Sequence, residues 1–197
     1  MISKLYEVKV SAEPSVEPVS LVDAKSFMKV NDTADDTLIT DLIVVARQMA
    51  EKYLRRALIS QTLIAYYSFL DEKTYVPNPP HISIDTVKRI RLDESTTLTL
   101  NSDFFVQGNE QKYLLIPTTF NLTAGHSPQD RLIGQELEVT YTAGYGTSAT
   151  DVPKSIRNAI KMIVNTLFDG RHVEGEAQTF AIPTNAKTVL APFKIII

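Results

Sequence analysis

The spacing of apolar residues changes twice along this 197-residue chain, and that order limits the folds it can form. Apolar residues recur at helical spacing from about residue 20 to 56, take a strand-like pattern from about 61 to 141, and return to helical spacing at 152–168. A period near 3.6 predicts amphipathic helix, and alternation predicts half-buried strand. We therefore expect an α+β fold: a helical bundle of two N-terminal helices plus a closing C-terminal helix, with an inserted small antiparallel β module.

The two N-terminal helices carry start signals. Ser20 is followed three residues later by Asp23, so a hydroxyl can accept from a free backbone N–H while a carboxylate lies at the positive end of the helix dipole. The pair Asp35 and Asp36 predicts the start of a second, longer helix in the same way, through capping. Two capped helices joined by a short polar link predict a helical hairpin that buries one face.

The second helix, predicted over about 36–55, has an unusually wide apolar face. One row on it is Leu38, Leu42, Val45, Met49 and Tyr53, and the adjacent row is Ile39, Ile43, Ala46, Ala50 and Leu54. Such a face is wider than one partner helix needs, which suggests burial both by the chain's own core and by a neighbouring subunit. As a hypothesis, the subunit interface is assigned to Ile39, Ile43, Ala46 and Ala50.

The middle of the chain reads as a small sheet. Residues 135–141 give the clearest strand, because Leu137, Val139 and Tyr141 alternate with polar residues. Residues 117–134 have polar, Gly and Pro character and predict a long exposed loop. Further strand-like runs occupy 61–70, 86–92, 96–100, 104–107 and 112–116.

The ends of the chain and the closing helix complete the predicted organisation. Pro153 stands in the first turn of that helix and Gly170 supplies its end. The expected parts are an extended N-terminal arm, 1–17; a main domain, 18–170, with helices at 20–56 and 152–169 and the β module at 61–147; and a C-terminal tail, 171–197, loose as far as 188.

Composition excludes several classes of protein. Without cysteine the chain has no disulfide, thiolate nucleophile or cysteine-ligated zinc. A net charge of −3 offers no global attraction to nucleic acid. The N-terminus has no apolar run of signal-peptide length and no segment is long enough to span a bilayer, so we expect a soluble, intracellular product without membrane contact.

Motifs for chemistry are absent as well. His81, His126 and His172 lack metal-ligand spacing and read as surface or turn polarity. Residues 144–146, Gly-Tyr-Gly, match no phosphate-binding fingerprint. We expect no catalytic residue, no metal and no cofactor. The cluster Arg47, Lys52, Arg55 and Arg56 is explained by the helix dipole and solvation, or by a contact with an acidic partner surface.

Several blocks of sequence resemble one known family, the head–tail connector (adaptor) proteins of tailed phages, prophages and gene transfer agents. These blocks occur in the family's order and cover most of residues 18–170 plus the tail. They are residues 18–30 with 35–39; 51–62, with an Arg-Ala-Leu turn entering a strand; 77–80 with Val87 and Ile90; 139–146 with 151–160; and 190–194.

The resemblance implies a structural virion protein that performs no chemistry. Such a protein would form a homo-oligomeric ring of about twelve copies under the portal protein, join the DNA-filled head to the tail, and meet the next tail or stopper protein. DNA would pass through the channel without specific binding, and assembly would take place in the host cytoplasm. The alternative is another ring component of the same particle, a tail terminator or stopper.

The C-terminal tail is unusually apolar for a free end. One interpretation is that it folds back onto its own subunit's core. The other is that it extends to the portal and adds a strand there, with its alternating side chains in pockets on one face. The candidate portal-docking residues are Leu190, Phe193, Ile195 and Ile197.

Overall fold

The computed structural model describes residues 5–68, 74–91, 94–117, 135–170 and 181–195. The chain divides into two compact units. A β unit contains Met1–Glu13 and Ser60–Gly144, and a helical unit contains Pro14–Ile59 and Tyr145–Ile197. The fold is α+β with an antiparallel β module inserted between helices, as the change of period predicts.

The helical unit is built from four helices within the described residues: α1 (Leu21–Met28), α2 (Asp36–Leu54), α3 (Lys154–Gly170) and α4 (Thr184–Leu190). Short 3-10 turns occupy Ala149–Asp151 and Ala191–Phe193. α3 packs against the other three helices. The core includes Ile39, Ile43, Ala46, Ala50, Leu54, Ile156, Ile160, Ile163, Ala186 and Leu190.

The starts of α1 and α2 differ from each other. The Ser20 hydroxyl oxygen accepts a 3.1 Å hydrogen bond from the Asp23 backbone N–H and donates to the Asp23 carboxylate, which confirms the predicted cap. Asp35 makes no side-chain capping bond, so the capping expected there is wrong. Instead Asp36 pairs with Lys25 at 2.5 Å, tying the start of α2 to α1.

The β unit consists of two antiparallel sheets in its described part. The larger has the strand order β1-β2-β8-β4-β5 and the smaller β3-β7-β6. The strands are β1 (Leu5–Ala12), β2 (Gln61–Tyr67), β3 (Thr74–Tyr75), β4 (His81–Arg91), β5 (Glu94–Leu98), β6 (Phe104–Asn109), β7 (Lys112–Pro117) and β8 (Gln135–Ala143).

The core of the β unit lies between these sheets. The His81 ring from β4 stacks on the Tyr113 ring from β7 with 4.8 Å between centroids. The Tyr67 hydroxyl from β2 donates a 2.7 Å hydrogen bond to the Tyr75 carbonyl in β3. Alternate residues of β2 and β8 are buried, which confirms the alternation read in residues 135–141.

Both ends of the chain differ from the sequence-based expectation. Residues 5–12 are not part of a free arm but form β1, an edge strand hydrogen-bonded to β2. Most β1 side chains are exposed on both faces, so backbone pairing forms the strand without an apolar alternation. Within the segment expected to be loose, α4 forms and buries Ala186 and Leu190. Residues 118–134 of the predicted loop lie outside the described residues.

Candidate interaction surfaces

Arg47 joins three parts of the helical unit through a buried charge network. Its Nε donates to both Glu17 carboxylate oxygens, at 2.9 and 3.2 Å, and its Nη1 donates to Glu51 at 2.9 Å. Glu51 also accepts from the Leu58 backbone N–H. The Arg47 side chain is only 3% exposed, so the network fixes the segment before α1 and the turn after α2.

The structure separates the cationic cluster 47, 52, 55 and 56. Arg47 is a buried structural residue. Both earlier interpretations, a solvated cation and a contact with an acidic partner, are therefore wrong for it. Arg56 donates through Nε to the Phe193 carbonyl at 2.5 Å, whereas Lys52 and Arg55 are exposed at the end of α2. The sequence did not reveal the Arg47 pairing because Glu17 lies 30 positions away.

The two apolar rows of α2 have different environments. The four residues assigned to a subunit interface are at most 2% exposed, because they pack inside their own subunit's core. That assignment is therefore corrected: these side chains have no surface to offer a neighbour. Leu38 and Val45 of the other row are 37% and 41% exposed, whereas Leu42, which lies between them, and Met49, one turn after Val45, are half-buried.

A cationic groove lies between the start of α1 and the first half of α3. It is a concavity of about 390 Å³ lined by Pro18, Val19, Asp23, Lys154, Arg157, Asn158 and Lys161. Its three cations are spaced i, i+3 and i+7 on α3, so they project from one face. Lys154 and Arg157 lie in the first turn of α3, near the positive end of its dipole, which raises the electrostatic cost of their charges.

The charge of this groove is not neutralised within the described part of the helical unit. The Asp23 carboxylate is engaged by the Ser20 hydroxyl. The Arg157 Nε is enclosed and has no hydrogen-bond acceptor among the described residues, an arrangement that costs about 1–3 kcal/mol. The Lys161 ammonium lies over the Phe27 ring, 5.4 Å from its centroid. Sequence reasoning missed the groove, although the i, i+3, i+7 spacing was visible.

The tail residues lie on their own subunit. Leu190 is fully buried, and Phe193 and Ile195 are half-buried. The Ile195 backbone N–H donates to the Leu54 carbonyl at 3.0 Å, and the Lys194 ammonium lies 4.5 Å from the Tyr53 ring centroid. The extended docking strand is therefore wrong through residue 195, because the segment forms α4, which packs on α3, and a 3-10 turn, after which Ile195 hydrogen-bonds to the last residue of α2. Ile197 lies outside the described residues.

His81 is buried, so its interpretation as surface or turn polarity is wrong. Its Nε2 faces the Val76 and Pro77 carbonyls at 3.0 and 3.1 Å, and its Nδ1 faces the Glu110 carbonyl at 3.2 Å. Burial lowers the pKa of the ring, although these carbonyls favour the protonated form. Burial also raises the pKa values of Tyr67 and Tyr141. These groups serve the β core. His126 and His172 lie outside the described residues.

Metal-binding clusters and membrane-spanning helices are absent from the ranges that the structure describes. No group of three or more His, Asp or Glu side chains there is arranged to hold a metal ion. None of the helices in these ranges has the length and apolarity needed to cross a membrane.

Part of this chain matches a known protein family. Residues 18–101 match the family model described as phage gp6-like head-tail connector protein. The matched region begins at the α1 start and ends in the β unit. No curated protein matches the sequence.

Solved structures extend the likeness in fold to nearly the whole chain. The chain is similar to a component of the neck of an empty GTA particle computed with C6 symmetry, and to one in the virion of a native gene transfer agent (GTA) particle. In each case the identity is 12% and the TM-score 0.75, over 98% of this chain and 97% of the other.

A third structure, the neck of a native GTA particle computed with C12 symmetry, aligns at 14% identity and a TM-score of 0.60, over 96% of each chain. At these identities the structures establish the fold, and the family match covers residues 18–101. The resemblance of this chain to phage head–tail connector proteins is thus confirmed.

Proposed function

We propose that this protein is a head–tail connector that assembles as a ring beneath the portal of a phage-like particle and joins the DNA-filled head to the tail. The observation that carries the proposal is the similarity of nearly the whole chain to components of GTA particles, together with the connector-family match over residues 18–101. The role is structural, and its mechanism is shape and contact.

The symmetry of the similar particles supports a closed ring. Two of those necks are described with C6 or C12 symmetry, which suits about twelve copies around a portal. We place the ring contact of this chain on the exposed row of α2, because the adjacent row fills the core. Leu38 and Val45 provide its apolar surface, and a surface of this kind favours protein contact over solvent.

The wider partners follow from the same position in the particle. The ring would contact the portal protein on one side and the next tail or stopper protein on the other, inside an assembled virion. DNA would pass through the centre without specific binding. The folded tail does not provide a free docking strand before residue 196, so the portal contact is assigned to surfaces of the folded units.

The test is binding to portal-containing heads that lack the connector. Purified protein is incubated with such heads, and cryo-electron microscopy is used to look for a ring beneath the portal. Added density with cyclic symmetry, and recovery of tail attachment, are expected. Heads that stay bare in the presence of folded protein would overturn the connector assignment.

A substitution pair tests the α2 surface. Val45→Asp places a charge in the exposed row and is expected to block assembly on heads while leaving the melting temperature almost unchanged. Thr188→Asp adds the same charge at an exposed position of α4 and is the matched control. Normal assembly by folded Val45→Asp protein would place the ring contact elsewhere.

A further inference from the structure

The cationic groove of α3 has the composition of a site for a carboxylate. Three cations, Lys154, Arg157 and Lys161, and one carboxylate, Asp23, line it, and none of the three cations forms an ion pair in the described part of the chain. The Arg157 Nε lies enclosed, and no acceptor reaches it from the part of the chain that the structure describes. Positive charge collected at the start of a helix opposes the dipole, so an incoming anion would relieve repulsion as well as form new contacts.

An unpaired carboxylate occurs on the exposed face of α2. Asp41 is exposed, and no hydrogen bond or ion pair engages its carboxylate among the residues that the structure describes. It lies three positions after Leu38 and four before Val45, so the three side chains form one stripe at i, i+3 and i+7. This stripe presents an acid between two exposed apolar residues.

The stripe and the groove match in length and in charge position. In each, the last side chain stands seven positions after the first, about 10 Å along the helix, and the central charged residue stands three positions after the first. Asp41 is central in the stripe and Arg157 is central in the groove. Phe27, which is 40% exposed and contacts Lys161, adds an apolar surface at the groove for Leu38 or Val45.

We propose that the groove of one subunit receives the Asp41 stripe of the next, with the Asp41 carboxylate paired to Arg157 and its flanking lysines. This inference rests on the proposed function, since it specifies the contact that closes the ring. The groove and the stripe share no residue, so one copy can use both at once. A contact between two different surfaces is heterologous, and such contacts close into rings when the rotation fits.

Charge exchange tests the pairing, measured as copies bound per portal-containing head. Arg157→Glu and Asp41→Arg each place like charges in the contact, and each is expected to lower assembly about tenfold or more. The double variant restores opposite charges at every interface of a head-to-tail ring and is expected to recover assembly above either single variant. Lys187→Glu, on the exposed face of α4, is the control and should assemble normally.

The outcomes separate the two proposals. Failure of wild-type protein to bind heads contradicts the connector assignment itself. Binding by wild type and by both single variants alike overturns the groove contact but leaves the connector role intact. Loss in both single variants without recovery in the double variant overturns the Asp41–Arg157 pairing, provided that thermal melting shows all three variants folded.

Nucleic acid is the competing ligand for the groove. Binding of a short duplex DNA by the free protein is measured by fluorescence anisotropy at physiological salt. Only weak, nonspecific binding is expected, and Arg157→Glu should lower it only modestly, through the one charge that it reverses. Tight binding that Arg157→Glu abolishes would reassign the groove to DNA phosphate and overturn the proposal.

Discussion

The two units use charge in different ways. In the helical unit, Arg47 is buried with Glu17 and Glu51, and it connects segments that have no backbone ladder between them. In the β unit, the ion pair Lys88–Glu138 lies partly exposed across two strands, while the interior uses neutral aromatic rings. Sheets satisfy their own backbone groups through strand pairing. The irregular entry and exit of a helical hairpin need side chains to do so.

This contrast also separates structural charge from charge available to partners. Arg47 is fully engaged inside the fold, whereas Arg157 and Asp41 have no ion pair in the described residues. Buried networks that are complete tend to be structural, and uncompensated charges next to apolar surface favour contact with another molecule. The helical unit therefore contains both the fixed core charge and the proposed ring contact.

The largest expected effect is removal of Arg47. Arg47→Ala leaves two carboxylates near each other without their cation, and we expect a loss of about 3–5 kcal/mol in the free energy of unfolding. Urea denaturation followed by helical circular dichroism measures it. Lys52→Ala, on the same helix but exposed, should stay within about 0.5 kcal/mol of wild type. Equal effects of the two changes would contradict a structural role for Arg47.

A smaller effect distinguishes two buried tyrosines of the β unit. Tyr67→Phe removes a donor to the Tyr75 carbonyl and should cost about 1 kcal/mol. Tyr141→Phe removes a hydroxyl that has no hydrogen-bond partner among the residues that the structure describes, so stability should stay the same or rise slightly. Urea denaturation of both variants gives the comparison. A larger loss in Tyr141→Phe would show that its hydroxyl has a partner in solution.

The spacing of apolar residues predicted the long helices and strands. It could not tell which of two neighbouring apolar rows on a helix would be buried. α2 and β8 were predicted because their repeats are long and regular. The rows of Ile39 and Leu38 are offset by one residue, about 100° around the helix, and both are apolar. Packing on α3 buries one row, and this depends on residues more than a hundred positions away.

Short or edge elements had no usable pattern. β1 exposes side chains on both faces, so its sequence shows no apolar alternation. α4 has only seven residues, which is too short for a helical repeat of apolar residues to be recognised. The groove and the Arg47 network were not predicted because each joins segments distant in sequence. The spacing of the cations at 154, 157 and 161 could be recognised in the sequence. Only the structure shows that no carboxylate in the described residues pairs with them.

The pH dependence of stability tests the neutral interior of the β unit. Burial lowers the pKa of His81 below its ordinary value of 6.5, so the unfolded chain binds a proton at a pH where the folded chain does not. Stability should therefore fall as pH decreases through 6.5, until the folded-state pKa is passed, and His81 should add no pH dependence above that window. His81→Gln removes this titration. Urea denaturation across the acid range should show a shallower pH dependence for the variant, and an unchanged slope would contradict it.

The smallest expected effect is that of Lys88→Met in the β unit. Lys88 lies directly opposite Glu138 across β4 and β8, with 3.1 Å between the ammonium and the carboxylate, and its side chain is 39% exposed. An exposed cross-strand pair of this kind contributes about 0.5 kcal/mol. A double-mutant cycle with Glu138→Gln, measured by urea denaturation, isolates that term. In 1 M NaCl the coupling should nearly vanish because screening acts over about 3 Å, whereas the cost of Arg47→Ala should persist. If the Lys88–Glu138 coupling were as large as the Arg47 effect and resisted salt, the two units would not differ in how charge stabilises them.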